Sequence, residues 1–275
     1  MRRAPAVAPA ALAAILLGAV LLVAALLPLD AVGNDLANRF APPSPAHPLG
    51  TDHLGRDVLA RLAAGTRLSV GSTVVAVGLC ASLGTALGLL AGFRGGFAAQ
   101  ALDRVVDVLV AVPSIVLALV LTTLLSPGTT TLLVAVVATG WTPFARLALG
   151  LTVREAGTDY VRGATALGAG PARIVFRHVL PNAVRPLAAH AFLRFAATLL
   201  TIAGLSFLGL GPQPPTPEWG AMLDEARPYL FVRPGLVLAP AAAIVGVALV
   251  VTLAGRALER RWGEPDIFHP TRSHT

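Results

Sequence analysis

The chain has 275 residues, of which 55% are hydrophobic and only 13% charged, whereas a soluble domain carries roughly twice that charged share; an ordinary soluble fold is excluded. The formal net charge is +7 and every one of the 21 basic residues is arginine. Without lysine the chain can form neither a P-loop, which sets a Lys on nucleotide phosphates, nor a Schiff base, so any ATP hydrolysis belongs to another polypeptide.

A helical membrane span needs about 20 consecutive apolar residues. Residues 10–29 meet this after Arg2 and Arg3. The run exceeds the 7–15-residue apolar core usual for a signal peptide, so it is expected to be an uncleaved first span preceded by a short tail, 1–9. An outer segment, 30–67, follows. Its Pro-rich start leads into HPLGTDHLGRDVLARL, where Leu54, Val58 and Leu62 recur at helical spacing and Asp57 and Arg61 stand four apart. This predicts a short amphipathic helix lying on the membrane face. His47, Asp52 and His53 are read as solvated loop residues and not as a metal site.

Five further spans are expected at 68–93, 105–125, 132–149, 187–208 and 236–256, forming the core 68–256 before a tail at 257–275. The runs lack the alternation of barrel strands, so the fold class is an all-α membrane protein with six transmembrane helices. Cys80, the one cysteine, falls in an apolar run and reads as a small buried hydrophobe. Pro113, Pro143 and Pro240 interrupt spans and predict packing kinks. The spacings Gly84-x-x-x-Gly88 and Gly88-x-x-x-Gly92 predict close helix approach.

With the N-terminus inside, Arg2, Arg3, Arg94, Arg104, Arg146, the arginines of 151–186 and those near the C-terminus all fall on the inner side. The outer side holds only Arg39, Arg56, Arg61, Arg67, Arg227 and Arg233. That asymmetry follows the positive-inside bias and puts both termini in the cytoplasm. It also explains a pI near 11.2 without nucleic acid.

Between the fourth and fifth spans lies the polar interval 151–186, LTVREAGTDYVRGATALGAGPARIVFRHVLPNAVRP, carrying Arg154, Arg162, Arg173, Arg177 and Arg185. Residues 159–167 suit a helix that Gly168-Ala169-Gly170 breaks. Pro171 suits the first turn of a second helix, running through Ile174, Val175, His178 and Val179 and stopping before Pro181. The result is a cytoplasmic helix–turn–helix, either a basic loop held near anionic lipid or a docking element. Beyond it, Arg194 and His190 share one face within the fifth span and are candidate pathway groups; snorkelling of Arg194 is the alternative. The outer segment 206–234 contains too many prolines for a continuous helix, and its Trp219 and Tyr229 suit a membrane interface.

Gly168, nine residues, then His178-Val179-Leu180-Pro181 resembles the loop of binding-protein-dependent ABC importer permeases, whose pattern is E-A-A, three residues, Gly, nine residues, I-x-L-P. Here Arg162-Gly163-Ala164 stands at the E-A-A position and His178 at the Ile position, while Glu155-Ala156 is seven residues out of register. DYVRGATALGAGPARIVFRHVLPN, LGTDHLGRDVLARL, GLSFLGLG and PPTPEWGAML are similar to the dipeptide/oligopeptide/nickel branch of that family.

The resemblance implies a permease subunit whose loop couples to an ATPase through Arg162, Gly163, Ala164, Leu167, Gly168, Ala169, Arg173, His178, Leu180 and Pro181. It implies four kinds of neighbour: a second permease subunit, two cytoplasmic P-loop ATPase subunits, an extracytoplasmic solute-binding protein and the bilayer. No cofactor or metal is expected on this chain, since ATP would sit on the partners. Pathway candidates are His190, Arg194, Ser206, Phe207 and Trp219. Short peptides are the expected substrate in preference to nickel, because His190 alone is a poor donor set for a transition metal. Ile202 stands where branch members often carry a Glu. A secondary transporter would want acidic groups near mid-membrane, and a membrane enzyme a recognisable catalytic motif; neither is found.

Overall fold

The computed structural model describes residues 30–262. The expected first span at 10–29, the tail 1–9 and the C-terminal 263–275 lie outside the described residues. Among the described residues the architecture is all-helical, with one isolated bridge between Thr51 and Asp57.

Helix α1 spans Val58–Arg94, 37 residues, or roughly 55 Å at 1.5 Å per residue. Asp57 caps it by accepting the Ala60 N–H at 2.7 Å, and Gly95 ends it at φ +62. The separate surface helix expected before residue 68 is therefore the first turns of α1. No proline interrupts the sequence from 58 to 94, so nothing breaks the ladder where polarity changes. The expected Asp57–Arg61 pair is also absent: Asp57 takes His47 Nδ1 at 2.8 Å, and Arg61 turns to other carboxylates.

Helix α2 (Gly96–Ala111) and α3 (Ser114–Leu124) replace the single span expected at 105–125. Their axes bend by 83°. Pro113 drives Val112 to an extended φ −88, ψ 119, as a residue before proline prefers. Helix α4 (Thr129–Gly140) and α5 (Thr142–Ala156) are joined through Trp141 and form one apolar stretch, Thr129–Ala156. Pro143 sits in the first turn of α5, where a missing N–H is harmless.

Short helix α6 is Asp159–Ala166. After Gly168 come α7 (Pro171–Ile174), a π-helical turn (Val175–Val179) and α8 (Leu180–Phe207). The second loop helix thus does not stop before Pro181 but runs on into the span expected at 187–208. Proline removes one ladder donor and crowds the carbonyl four residues back; the widened π turn immediately before Pro181 absorbs that defect. Helix α9 (Trp219–Ala226) crosses the opposite end of the bundle, and α10 (Gly235–Trp262) returns with Pro240 inside it.

Four stretches are long and apolar enough to cross a membrane, Val58–Arg94, Thr129–Ala156, Val175–Phe207 and Gly235–Arg260; the bent α2–α3 pair makes a fifth if counted as one span. The core lies where α1, α5, α8 and α10 meet, around Cys80, Trp141, Phe144, Ala148, Leu199 and Ile244. The glycine spacing on α1 is filled by α5. A Cβ at Gly84 would lie 2.3 Å from the Trp141 carbonyl, one at Gly88 2.4 Å from that of Ala145, and one at Gly92 2.7 Å from Thr152 Cβ. Large apolar side chains such as Val74, Leu79, Leu83 and Leu90 remain exposed along α1, as they must where lipid or another subunit replaces water.

Candidate functional site

The loop between α5 and α7 is held to the bundle at its base and free at its tip. Val161, the buried residue of α6, packs with Leu89 at the end of α1 and with Ile174 and Val179. Asp159 stands in the first turn of α6, where a carboxylate suits the helix dipole. The helix closes through Leu167 N–H to the Gly163 carbonyl at 3.1 Å and Ala169 N–H to that of Ala164 at 3.0 Å. Gly168 turns the chain at φ +83, a left-handed conformation that costs a side-chain-bearing residue about 1–2 kcal/mol.

Arg162, Gly163, Leu167, Gly168 and Arg173 are exposed, Ala164 is half-buried, and Ala169, also half-buried, packs against the apolar cluster around Val161. Leu167 is 91% exposed. A Cβ at Gly163 or Gly168 would meet nothing within 4 Å, leaving that face uncovered by the described residues. His178, Leu180 and Pro181 lie lower, on the π turn and the start of α8.

A polar knot at the base was not foreseen. Tyr160 Oη donates to Glu155 Oε2 at 2.5 Å, and Asn182 Nδ2 donates to Tyr160 Oη at 3.1 Å and Glu155 Oε2 at 3.4 Å. The Tyr160 ring lies 5.9 Å from that of His178. The hydrogen bond to Glu155 is the largest influence raising the Tyr160 phenol above its ordinary pKa, with burial and the carboxylate charge adding to it. Only the five-residue step from Glu155 to Tyr160 was visible in the sequence, and it carries no familiar signature.

The pathway candidates separate. His190 sets its ring edge against Phe144, with centroids 5.1 Å apart, and its buried Nε2 has no hydrogen-bond partner. Arg194, half-buried, has no hydrogen bond or ion pair among the described residues. Ser206 is buried with its Oγ unpartnered, against Gly211 and Gly220. Phe207 stands under the Arg227 guanidinium, 5.8 Å from the ring centroid, and lines a groove of about 440 Å³ between α8 and α10.

Trp219 faces the protein interior and not the surrounding lipid or water. It is fully buried; its indole N–H donates to the Leu62 carbonyl at 2.9 Å, its backbone N–H donates to Ser69 Oγ at 3.0 Å, and the ring fills the space left by Gly65. Beside it Glu218, also buried, caps α9 through the Ala221 N–H and accepts from Ser69 Oγ, both at 2.9 Å.

At this end of the bundle two buried arginines clamp two carboxylates. Arg56 reaches Asp52 at 2.6 Å and Glu225 at 2.5 Å; Arg61 reaches Asp52 at 3.2 Å and Glu225 at 2.9 Å. Asp52 is therefore a buried charge and not a solvated loop residue. His53 stacks on Tyr229 with ring centroids 5.3 Å apart. Ligand atoms of Asp52, His53 and Glu225 lie within 4.8 Å of one another, but both carboxylates are already neutralised by guanidinium groups that a cation would have to displace.

A family model described as "Binding-protein-dependent transport system inner membrane component" matches residues 84–264. "Glutathione transport system permease protein GsiD" of Pectobacterium atrosepticum is 38% identical over 259 residues, 94% of this chain and 86% of the relative. The protein of the same name from Escherichia coli O1:K1 is 39% identical over 216 residues, 78% of this chain and 71% of the relative. Among solved structures, a chain from inward-facing conformations of the MetNI methionine ABC transporter superposes with a TM-score of 0.61 at 16% identity, covering 74% of this chain and 97% of that one. A chain of an amino acid ABC transporter with histidines gives 0.56 at 16% identity, covering 73% and 94%. At such identity these two likenesses concern the fold.

Proposed function

This chain belongs to the binding-protein-dependent transport system inner membrane components, and we propose that it forms one half of the translocation pathway of an ATP-driven importer. The observation that carries the reading is the α6–Gly168–α7 loop. Its base is packed on α1 and α8, while its tip offers small residues and arginines to something outside the chain. A docking helix needs this combination. It must be rigid where it joins the spans, so that a push is transmitted and not absorbed, and it must be uncovered where it meets its partner.

In this reading the partners are a second permease subunit, two P-loop ATPase subunits and an extracytoplasmic solute-binding protein. The loop and both termini face the cytoplasm, and α9 with the arginine–carboxylate clamp faces outward. The substrate is a short peptide. Relatives named for glutathione, itself a tripeptide, favour that class. His190 and Arg194, whose polar atoms lack a hydrogen-bond partner within the described chain, are the pathway groups we retain. Ser206 and Trp219 hold α9 against α8 and α1, and Phe207 lines the groove beside them.

The test is recovery of the tagged chain from its native membrane in mild detergent, followed by mass spectrometry of what accompanies it. A P-loop ATPase and a second permease are expected. Gly168→Trp, which places a bulky side chain in a left-handed turn, is expected to leave the chain in the membrane and lose the ATPase. Repeated recovery of the intact chain alone would overturn the reading.

A further inference from the structure

The coupling helix α6 has two attachments to the bundle, and they are of different kinds. One is apolar: Val161 sits against Leu89, Ile174 and Val179. The other is the polar knot of Tyr160, Glu155 and Asn182. A short helix held at one point can pivot about it, whereas two attachments on adjacent residues, about 100° apart around the helix, fix its orientation. The knot also joins three elements at one carboxylate, since Glu155 closes α5, Tyr160 opens α6 and Asn182 lies in the first turn of α8.

We infer that Tyr160, through Glu155 and Asn182, is the positioning residue that makes α6 move as one body with α5 and α8, so that displacement of the loop tip reaches the spans. This rests on the ATPase-coupling reading above.

The side chains suit the task. Glu155 is mostly shielded, its side chain 14% exposed, and Arg154 approaches it only at 3.9 Å from a largely exposed position. Thr158 Oγ1 donates to the Glu155 carbonyl at 2.6 Å, which fixes the short link between α5 and α6. The phenol is protonated, and so a donor, across the physiological range as tyrosine ordinarily is, and the carboxylate that accepts from it pushes its pKa higher still. A hydrogen bond to a charged acceptor is among the stronger kind in proteins. Removing one hydroxyl therefore leaves Val161 in place and frees the pivot.

The experiment uses the intact complex purified with its ATPase, with Cys80→Ser and spin labels placed at Ala166→Cys on α6 and Val184→Cys on α8. Distances are measured without nucleotide and after trapping with ATP and vanadate, so no transported solute is needed. With Tyr160 present, one narrow distance distribution is expected in both states. Tyr160→Phe, which keeps the ring beside His178, is expected to broaden or shift the trapped-state distribution by about twofold in width while ATP hydrolysis stays within about twofold. Asn182→Ala is expected to act in the same direction. Unchanged distributions in both variants, with hydrolysis intact, would overturn this inference alone. A wild-type preparation without an ATPase would overturn the coupling reading and this inference with it.

Discussion

Replacing Arg61 by methionine removes one of the two cations in the clamp that ties the start of α1 to α9. In the structure Arg61 spans Asp52 at 3.2 Å and Glu225 at 2.9 Å with almost no solvent exposure. After substitution, Arg56 alone faces both carboxylates, and one buried negative charge is left uncompensated. Breaking a buried ion pair by deleting one partner costs about 3–5 kcal/mol. The linear methionine side chain occupies much of the same space, so the loss is electrostatic and not a cavity. Thermal unfolding of the detergent-purified protein, followed by tryptophan fluorescence, should therefore show a fall in melting temperature of about 10 °C, at about 2–4 °C per kcal/mol for a chain of this size. Glu225→Gln alone should also destabilise. The double variant should recover about 1–3 kcal/mol relative to the sum of the two, because the unpaired charge is gone. A melting temperature for Arg61→Met within about 2 °C of wild type, no more than the effect of about 1 kcal/mol, would refute the account of a charge-balanced buried clamp.

Two further outcomes follow from packing and titration. Gly88→Leu forces a side chain to within about 2.4 Å of the Ala145 carbonyl, and is expected to cost about 1–3 kcal/mol as α1 and α5 separate, whereas Gly78→Leu, which faces open space, should be nearly neutral in the same melting assay. Because the Tyr160 phenol is raised by its bond to Glu155, the link is present below the ordinary tyrosine pKa and is lost as pH rises through the raised value. With only two tyrosines in the chain, ultraviolet titration should show one ionising later than free tyrosine, and Glu155→Gln should lower it; a Tyr160 that titrates normally would remove the support.

Much of the loop could be read from residue types alone. Pro171 at a helix start and Gly168 at a left-handed turn are local rules, and local rules need no knowledge of the rest of the fold. The glycine spacing on α1 likewise announced a close approach, although not that α5 would be the partner. What escaped was set by contacts distant in sequence. Trp219 reads as an interfacial aromatic until Gly65, on another helix, is seen to open a place for its ring. Asp52 reads as a loop residue until Glu225, far along the chain, holds Arg56 and Arg61 over it. The continuity of α1 across residue 68 and of the α7–α8 helix past Pro181 failed for a different reason. Hydropathy marks where lipid begins, but a helix ends only where its ladder is broken, and neither a change of polarity nor a proline relieved by a π turn breaks it.

The most direct measurement is a photo-crosslink from the loop tip in native membranes. A photoreactive residue at Leu167, 91% exposed and uncovered by the described residues, should form an adduct with a P-loop ATPase, and one at Val75, exposed on a membrane-spanning helix, should not. Adducts from position 167 confined to lipid, with the chain intact and in the membrane, would contradict the claim that this loop is where the ATPase docks.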